Sequence, residues 1–137
     1  MTLIEIFAII IIHWISDFIM QDEKWALGKS KNWRDLIMHT MLYSAIWWFP
    51  ILIAILINQP DIQDGNQVLF KSLLFIFITF ITHTIIDYTT SKIVSKKFAK
   101  QEYGSPIPNF GAFTIIGFDQ VLHYIQLFVT YYLLTKY

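Results

Sequence analysis

Cysteine is missing from all 137 residues. Its absence rules out disulfides, thiolate nucleophiles, Fe–S clusters and Cys-type zinc sites. Charge is scarce as well: Asp, Glu, Lys and Arg make up 15% of the chain, against the roughly 25% usual in soluble domains. The charges that exist cancel, ten basic against ten acidic, so no global field draws the chain to nucleic acid. The N-terminus lacks a basic leader and a small-residue cleavage site, so its apolar run reads as a retained helix and not as a signal peptide. What is abundant is apolar side chain, 55% of the total. The mean hydropathy of +0.51 excludes a disordered chain and points away from an ordinary soluble domain. The length suits one domain.

Four long apolar segments carry that excess: about residues 2–20, 36–58, 68–91 and 113–135. Each approaches or exceeds the ~20 residues a helix needs to cross a bilayer. Lipid offers the backbone no hydrogen-bond partner, so helices are the expected spanning form. The expected fold is therefore all-α, a single integral membrane domain built as a four-transmembrane-helix bundle. Pro50 marks an expected kink in the second helix.

The connections differ. Gln21 to Asp35 is polar, with Trp25 and Trp33 suited to an interface. Gln59 to Gln67 holds Pro60, Asp61, Asp64 and Gly65, a tight acidic turn. Lys92 to Gly111 starts basic and turns irregular at Gly104, Pro106 and Pro108, which suits a loop folding back over the bundle. Lys24, Lys29, Lys31, Arg34, Lys92, Lys96, Lys97 and Lys100 lie on one side, and Lys71 and Lys136 on the other. The positive-inside bias then puts both basic loops in the cytoplasm and both termini outside.

Histidine is rare, with four copies, and each has an aspartate four residues away. The couples are His13 with Asp17, Asp35 with His39, His83 with Asp87, and Asp119 with His123. On a helix this spacing puts both side chains on one face, about 6 Å apart along the axis. On the topology above, all four couples fall in the cytoplasmic half. The order inverts with helix direction, so each aspartate lies nearer the cytoplasm and each histidine one turn deeper. The pattern also suggests two helical hairpins related by a pseudo-twofold along the membrane normal.

Such a layer needs partners. An ionised residue at a helix centre in the membrane costs roughly 2.5–3.5 kcal/mol, so four unpaired aspartates would cost on the order of 10 kcal/mol, comparable to the net stability of a domain. Bound cations supply the compensation most directly. Imidazole and carboxylate suit Zn²⁺, Mn²⁺ or Fe²⁺, and four-helix bundles build dinuclear sites from inward carboxylates and histidines. The candidate ligands of one or two divalent ions are His13, Asp17, Asp35, His39, His83, Asp87, Asp119 and His123. Gln21, Gln120, Ser16 and Thr84 are candidates for bonding those ligands.

Structural roles compete with these. A membrane histidine also serves as an interhelical hydrogen bonder. Asp35 also fits the first turn of a helix capped by Asn32. Trp47, Trp48 and the phenylalanines suit the core or the lipid face.

The run His13-Trp14-x-x-Asp17-Phe18-x-x-Gln21, then His39, His83-x-x-x-Asp87 and Asp119-Gln120-x-x-His123 resembles an uncharacterised family of small bacterial and phage membrane proteins, a domain of unknown function. More distantly the chain is similar to small inner-membrane metal-dependent hydrolases, although it lacks the Arg-x-x-Thr-His-Ser type of stretch of that group. The resemblance implies a bacterial or phage origin, an inner-membrane location and a metal site.

The expected function is a membrane metalloprotein hydrolysing a phosphoryl or acyl group at the cytoplasmic leaflet, on a lipid headgroup or lipid-linked phosphate. Asp17 and Asp119 are the candidate catalytic carboxylates. Arg34, Lys92 or Lys96 would neutralise the substrate's charge. Membrane lipids, a second copy or a partner membrane protein are the expected partners, with no nucleic acid. A carrier or channel for metal ions or protons is an alternative, but tyrosines aside nothing ionisable lies from Leu42 to Asn58 or from Tyr124 to Thr135. A non-enzymatic subunit with a polar core is another, and haem between facing histidines a further one.

Overall fold

The computed structural model describes residues 1–100 and 110–137, the side chain of Phe110 excepted. The irregular stretch through Gly104, Pro106 and Pro108, expected to fold back, lies outside the described residues. Those described are all-α.

Helix α1, Leu3–Trp14, opens with a capping box. The Thr2 side chain accepts from the Glu5 backbone N–H, and the Glu5 carboxylate reaches back to the cap. At its C-terminal end the chain widens into a five-residue π turn, Ile15–Ile19. A short helix α2, Glu23–Gly28, follows within the connection, capped by Asp22. Helices α3 (Trp33–Ile46) and α4 (Trp48–Asn58) form one broken rod. The break sits at Trp47, whose N–H bonds back only three residues, to the Ser44 carbonyl at 3.2 Å. Its cause is Pro50, whose ring collides with the carbonyl four residues earlier. Pro50 itself occupies the first turn of α4, where an N–H would lack an intrahelical partner anyway.

Helix α5, Gly65–Ala99, is longer at both ends than the apolar run alone suggests. Asp64 caps its start, and Lys96 and Lys97 complement the dipole at its end. Helix α6, Phe110–Lys136, closes the chain.

Three helices are long and apolar enough to cross a membrane: Trp33–Asn58, Gly65–Ala99 and Gly111–Lys136. The expected fourth, over residues 2–20, is not among them. Its α-helical part stops at 12 residues, and the π turn adds five. Helices α5 and α6 pack along each other. Helix α1 packs on α6, reaches α3 through its π turn and through His13 against the Tyr43 hydroxyl (2.7 Å), and meets α4 where Asn58 bonds Glu5.

The outside of the bundle is apolar: Ile4, Phe7, Ile11, Phe49, Phe70, Phe77, Ile85, Phe118, Ile125 and Leu133 are all exposed. The inside is mixed. An apolar cluster of Ile9, Tyr43, Trp47, Ile51, Ile55, Phe75, Leu127 and Tyr131 fills one part. Both chain ends lie at that end, where Glu5 Oε1 accepts from Asn58 Nδ2 (2.7 Å) and from the Tyr131 hydroxyl (2.8 Å). The lysine-rich end holds α2, the π turn, the start of α3 and the C-terminus of α5. There most of the buried side chains are His, Asp, Ser and Thr, with Leu36 among them. An apolar exterior around a polar interior is the arrangement lipid favours, since polar side chains must find one another.

Candidate metal centre

On α5 one buried stripe runs Ser72, Phe75, Thr79, His83, Asp87, Thr90. Steps of three and four keep these residues on the same face, so His83 and Asp87 enter the interior together, 3.5 Å apart (Nε2 to Oδ2). Helix α6 does the same with Asp119 and His123, 3.4 Å apart. Asp119 is steadied by the Thr90 hydroxyl, which donates to its Oδ1 at 2.6 Å.

The other two couples come apart. In the first, the π turn that begins at Ile15 swings Asp17 away from the histidine one turn earlier. His13 Nε2 stands 4.0 Å from Asp17 Oδ2. Asp17 instead faces the middle of the bundle, its Oδ1 at 3.2 Å from His39 Nε2 and 3.6 Å from His83 Nε2. Both ring nitrogens of His13 are engaged elsewhere. Nε2 pairs with Gln120 Oε1 at 2.6 Å and Nδ1 with the Tyr43 hydroxyl at 2.7 Å. An amide oxygen only accepts, so Nε2 carries the proton and Nδ1 accepts from tyrosine. His13 thus has both ring nitrogens hydrogen-bonded beside the cluster, and among the described residues it belongs to none of the ligand groups.

In the second, only His39 reaches the interior cluster. Asp35 is held at the start of α3, where its backbone N–H donates to Asn32 Oδ1 (2.9 Å) and its Oδ2 accepts from Asn32 Nδ2 (2.6 Å). Its carboxylate also lies against Gly28, where a Cβ would collide with it. Asp35 therefore sits in the first turn of α3, bonded to its Asn32 cap, and among the described residues it belongs to none of the ligand groups.

The structure brings six of the eight expected residues together: Asp17, His39, His83, Asp87, Asp119 and His123. They form three overlapping buried triads, each able to hold a metal ion: Asp17–His39–His83, His83–Asp87–His123 and Asp17–Asp119–His123. Asp87 is central to the arrangement. Its Oδ2 faces His39 Nε2 at 3.0 Å, and its Oδ1 faces His123 Nε2 at 3.4 Å. His39 and His83 point their Nε2 atoms at each other across 3.2 Å. Asp17 Oδ1 and Asp87 Oδ1 are buried without a hydrogen-bond donor.

These separations test the fit to a metal. Zinc bound to imidazole at about 2.0–2.1 Å sets neighbouring tetrahedral ligand atoms roughly 3.3 Å apart. The donors Asp17 Oδ1, His39 Nε2, His83 Nε2 and Asp87 Oδ2 lie 3.0–3.6 Å from one another along the five separations given above. His123 Nε2 lies 3.4 Å from both Asp87 Oδ1 and Asp119 Oδ2. The residues fit three-donor positions that share Asp17, His83 and His123 between them.

A lysine that the sequence pattern did not single out completes the cluster. Lys29, just after α2, donates from Nζ to Asp87 Oδ2 at 2.9 Å. Burial alone would lower its pKa. The Asp87 and Asp17 carboxylates outweigh that and hold it above the ordinary lysine value. Of the cations expected near the site, Lys92 instead lies over the Tyr88 ring, 3.8 Å from its centroid, and Arg34 is exposed. Nothing in the sequence marks Lys29 among eight basic residues on that side, except the Gly28 before it. Gly28 lets the chain pass close to Asp35, and its carbonyl accepts from the Lys31 and Asn32 N–H groups.

Among the residues expected to bond the ligands, Gln120 does so. Its Nε2 donates to Asp17 Oδ2 and to Asp119 Oδ2, both at 3.1 Å. Ser16 bonds its own helix at the Ile12 and His13 carbonyls. Thr84 bonds Thr40 and the Phe80 carbonyl. Gln21 lines an open pocket of about 400 Å³ beside the cluster, together with Asp17, Lys29, Thr90, Asp119 and Gln120.

The chain belongs to the family described as "Protein of unknown function (DUF3307)", which matches residues 6–137. No curated protein and no solved structure matches it.

Proposed function

We propose that this is a bacterial inner-membrane metalloprotein, with its basic loops in the cytoplasm, that hydrolyses a phosphoryl or acyl ester at the cytoplasmic leaflet. The observation that carries the reading is the convergence of three imidazole nitrogens and three carboxylates at ligand-edge separations, beside an open pocket. Asp17, Asp87 and Asp119 bring three negative charges when ionised. Among the described residues Lys29 is the ammonium that touches them. One divalent ion balances the remaining two charges, and Zn²⁺, Mn²⁺ or Fe²⁺ suits this donor set.

Asp17, His39 and His83 would hold one ion, and His123 would hold another, with His83 and Asp87 or with Asp17 and Asp119. Asp17 and Asp119 border the open pocket, and catalytic sites keep such an open side. A divalent ion held there would supply Lewis-acid chemistry, activating water and polarising the ester. The protein's own residues do the rest. Gln120 orients Asp17 and Asp119, and Thr90 fixes the second oxygen of Asp119. Asp119 and Asp17 border the pocket, where one of them takes the proton of the attacking water. Lys29 holds the cluster's charge and faces the same pocket.

A carrier or channel has less support, because the apolar cluster around Trp47, Ile51, Ile55, Phe75 and Leu127 lies between the polar cluster and the far end. Elemental analysis of the protein purified in detergent tests the metal. One or two Zn, Mn or Fe per chain is expected, and metal at background before and after reconstitution would end the proposal.

A further inference from the structure

The pocket beside the cluster has two kinds of wall. Its inner wall is polar: Asp17, Asp119 and Gln120 from the cluster, Lys29 and Ser30 from the α2–α3 connection, and Thr90 and Ser91 from α5. Its rim is apolar and open to the surroundings, with Phe18, Leu27 and Ile116 exposed. At about 400 Å³ it falls in the ordinary range of ligand pockets, roughly 300–1,000 Å³.

Two polar atoms in its wall are buried and have no hydrogen-bond partner, Ser91 Oγ and Gln21 Oε1. Such groups are costly to leave unpaired. Others are already engaged: Ser30 and Ser95 bond each other across the mouth at 2.7 Å. The lining thus offers an ammonium and a free hydroxyl facing a candidate metal position, and an apolar exit at the lysine-rich end of the bundle. A water-soluble ester would leave the apolar rim uncovered. A neutral lipid without an acceptor at the inner wall would leave the Ser91 hydroxyl unmatched.

We propose that this pocket takes a lipid phosphomonoester, with its phosphate between Lys29, Ser91 and the metal position and its acyl chains leaving past Phe18, Leu27 and Ile116. This rests on the metal reading above, since Asp17 and Asp119 would repel a phosphate in the absence of a divalent cation.

The test uses the full chain in detergent micelles, loaded with Zn²⁺, with radiolabelled phosphatidic acid as the probe. Diacylglycerol and inorganic phosphate serve as competitors. Phosphatidic acid is expected to be retained, to resist both competitors by at least tenfold, and to be released by EDTA. Two variants fill the pocket from opposite walls, Ser91→Leu and Ile116→Trp. Each should weaken retention at least tenfold with metal content per chain unchanged. Equal competition by diacylglycerol would overturn the phosphate claim, and equal competition by inorganic phosphate would overturn the lipid claim. Full retention in both variants would overturn the location. Any of these with metal still bound leaves the metal reading standing. Absence of metal in elemental analysis of the same sample removes that reading first.

Discussion

The two ends of this bundle solve one problem in opposite ways. At the end carrying both termini, the interior is closed by apolar packing: Trp47 against Phe75, rings 5.6 Å apart, with Ile51, Ile55 and Leu127 around them. A few polar groups there are satisfied in small sets, such as Glu5 with Asn58 and Tyr131. At the lysine-rich end, the same helices bury six His and Asp side chains within one cluster. The first end needs only shape. The second needs a charge balance, and its carboxylates outnumber the ammonium that reaches them. In lipid, where apolar contact gives little net drive between helices, the two ends should fail by different routes.

The comparison breaks most sharply at Asp87. Asp87→Ala removes the carboxylate that faces both His39 and His123 and strands Lys29. Bound metal should fall to background, and stability should drop by about 3–5 kcal/mol, as when one partner of a buried pair is lost. Elemental analysis and unfolding in SDS–detergent mixtures measure the two effects. Phe75→Ala strikes the other end. A cavity there should cost roughly 3 kcal/mol while the metal stoichiometry stays at the wild-type value; a fall in metal would mean the ends are not separable.

Asn32→Ala is a smaller perturbation. It removes the cap of α3 and should cost about 1 kcal/mol, with Asp35→Asn leaving metal content untouched. Loss of metal in Asp35→Asn would restore Asp35 to the ligand set.

The smallest effect concerns alkali. The pKa of Lys29 is raised on folding, so its contribution is present below the unfolded lysine value of about 10.4 and fades as pH rises through the folded value. Lys29→Met should therefore show a flatter loss of stability than wild type above about pH 10.4. Parallel curves would show that the contact with Asp87 carries no net stabilisation.

How far the residues announced this arrangement varies by helix. On α5 and α6 the helix runs unbroken through the couple, so four-residue spacing translates directly into a shared face. His83, Asp87, Asp119 and His123 could be placed from their numbers alone. On α1 the same spacing misled, because a π turn starting at Ile15 re-aims Asp17, and an extra residue in a turn leaves no compositional mark. On α3 both readings of Asp35 were open, and the bonds to Asn32 favour the cap. The break near Pro50 was legible, since proline acts through local sterics. Lys29 was not, because its role depends on how the connection after α2 meets α5, a contact between residues 58 positions apart. The missing fourth span follows from the same π turn, which interrupts an otherwise continuous apolar helix.

The position of that lysine has a consequence for how the chain is made. Lys29 is synthesised before His39, His83, Asp87 or Asp119 leaves the ribosome. The ammonium is thus in the chain before the α5 carboxylate that it pairs with is made, and the order of translation supplies the counter-ion ahead of the acid that needs it.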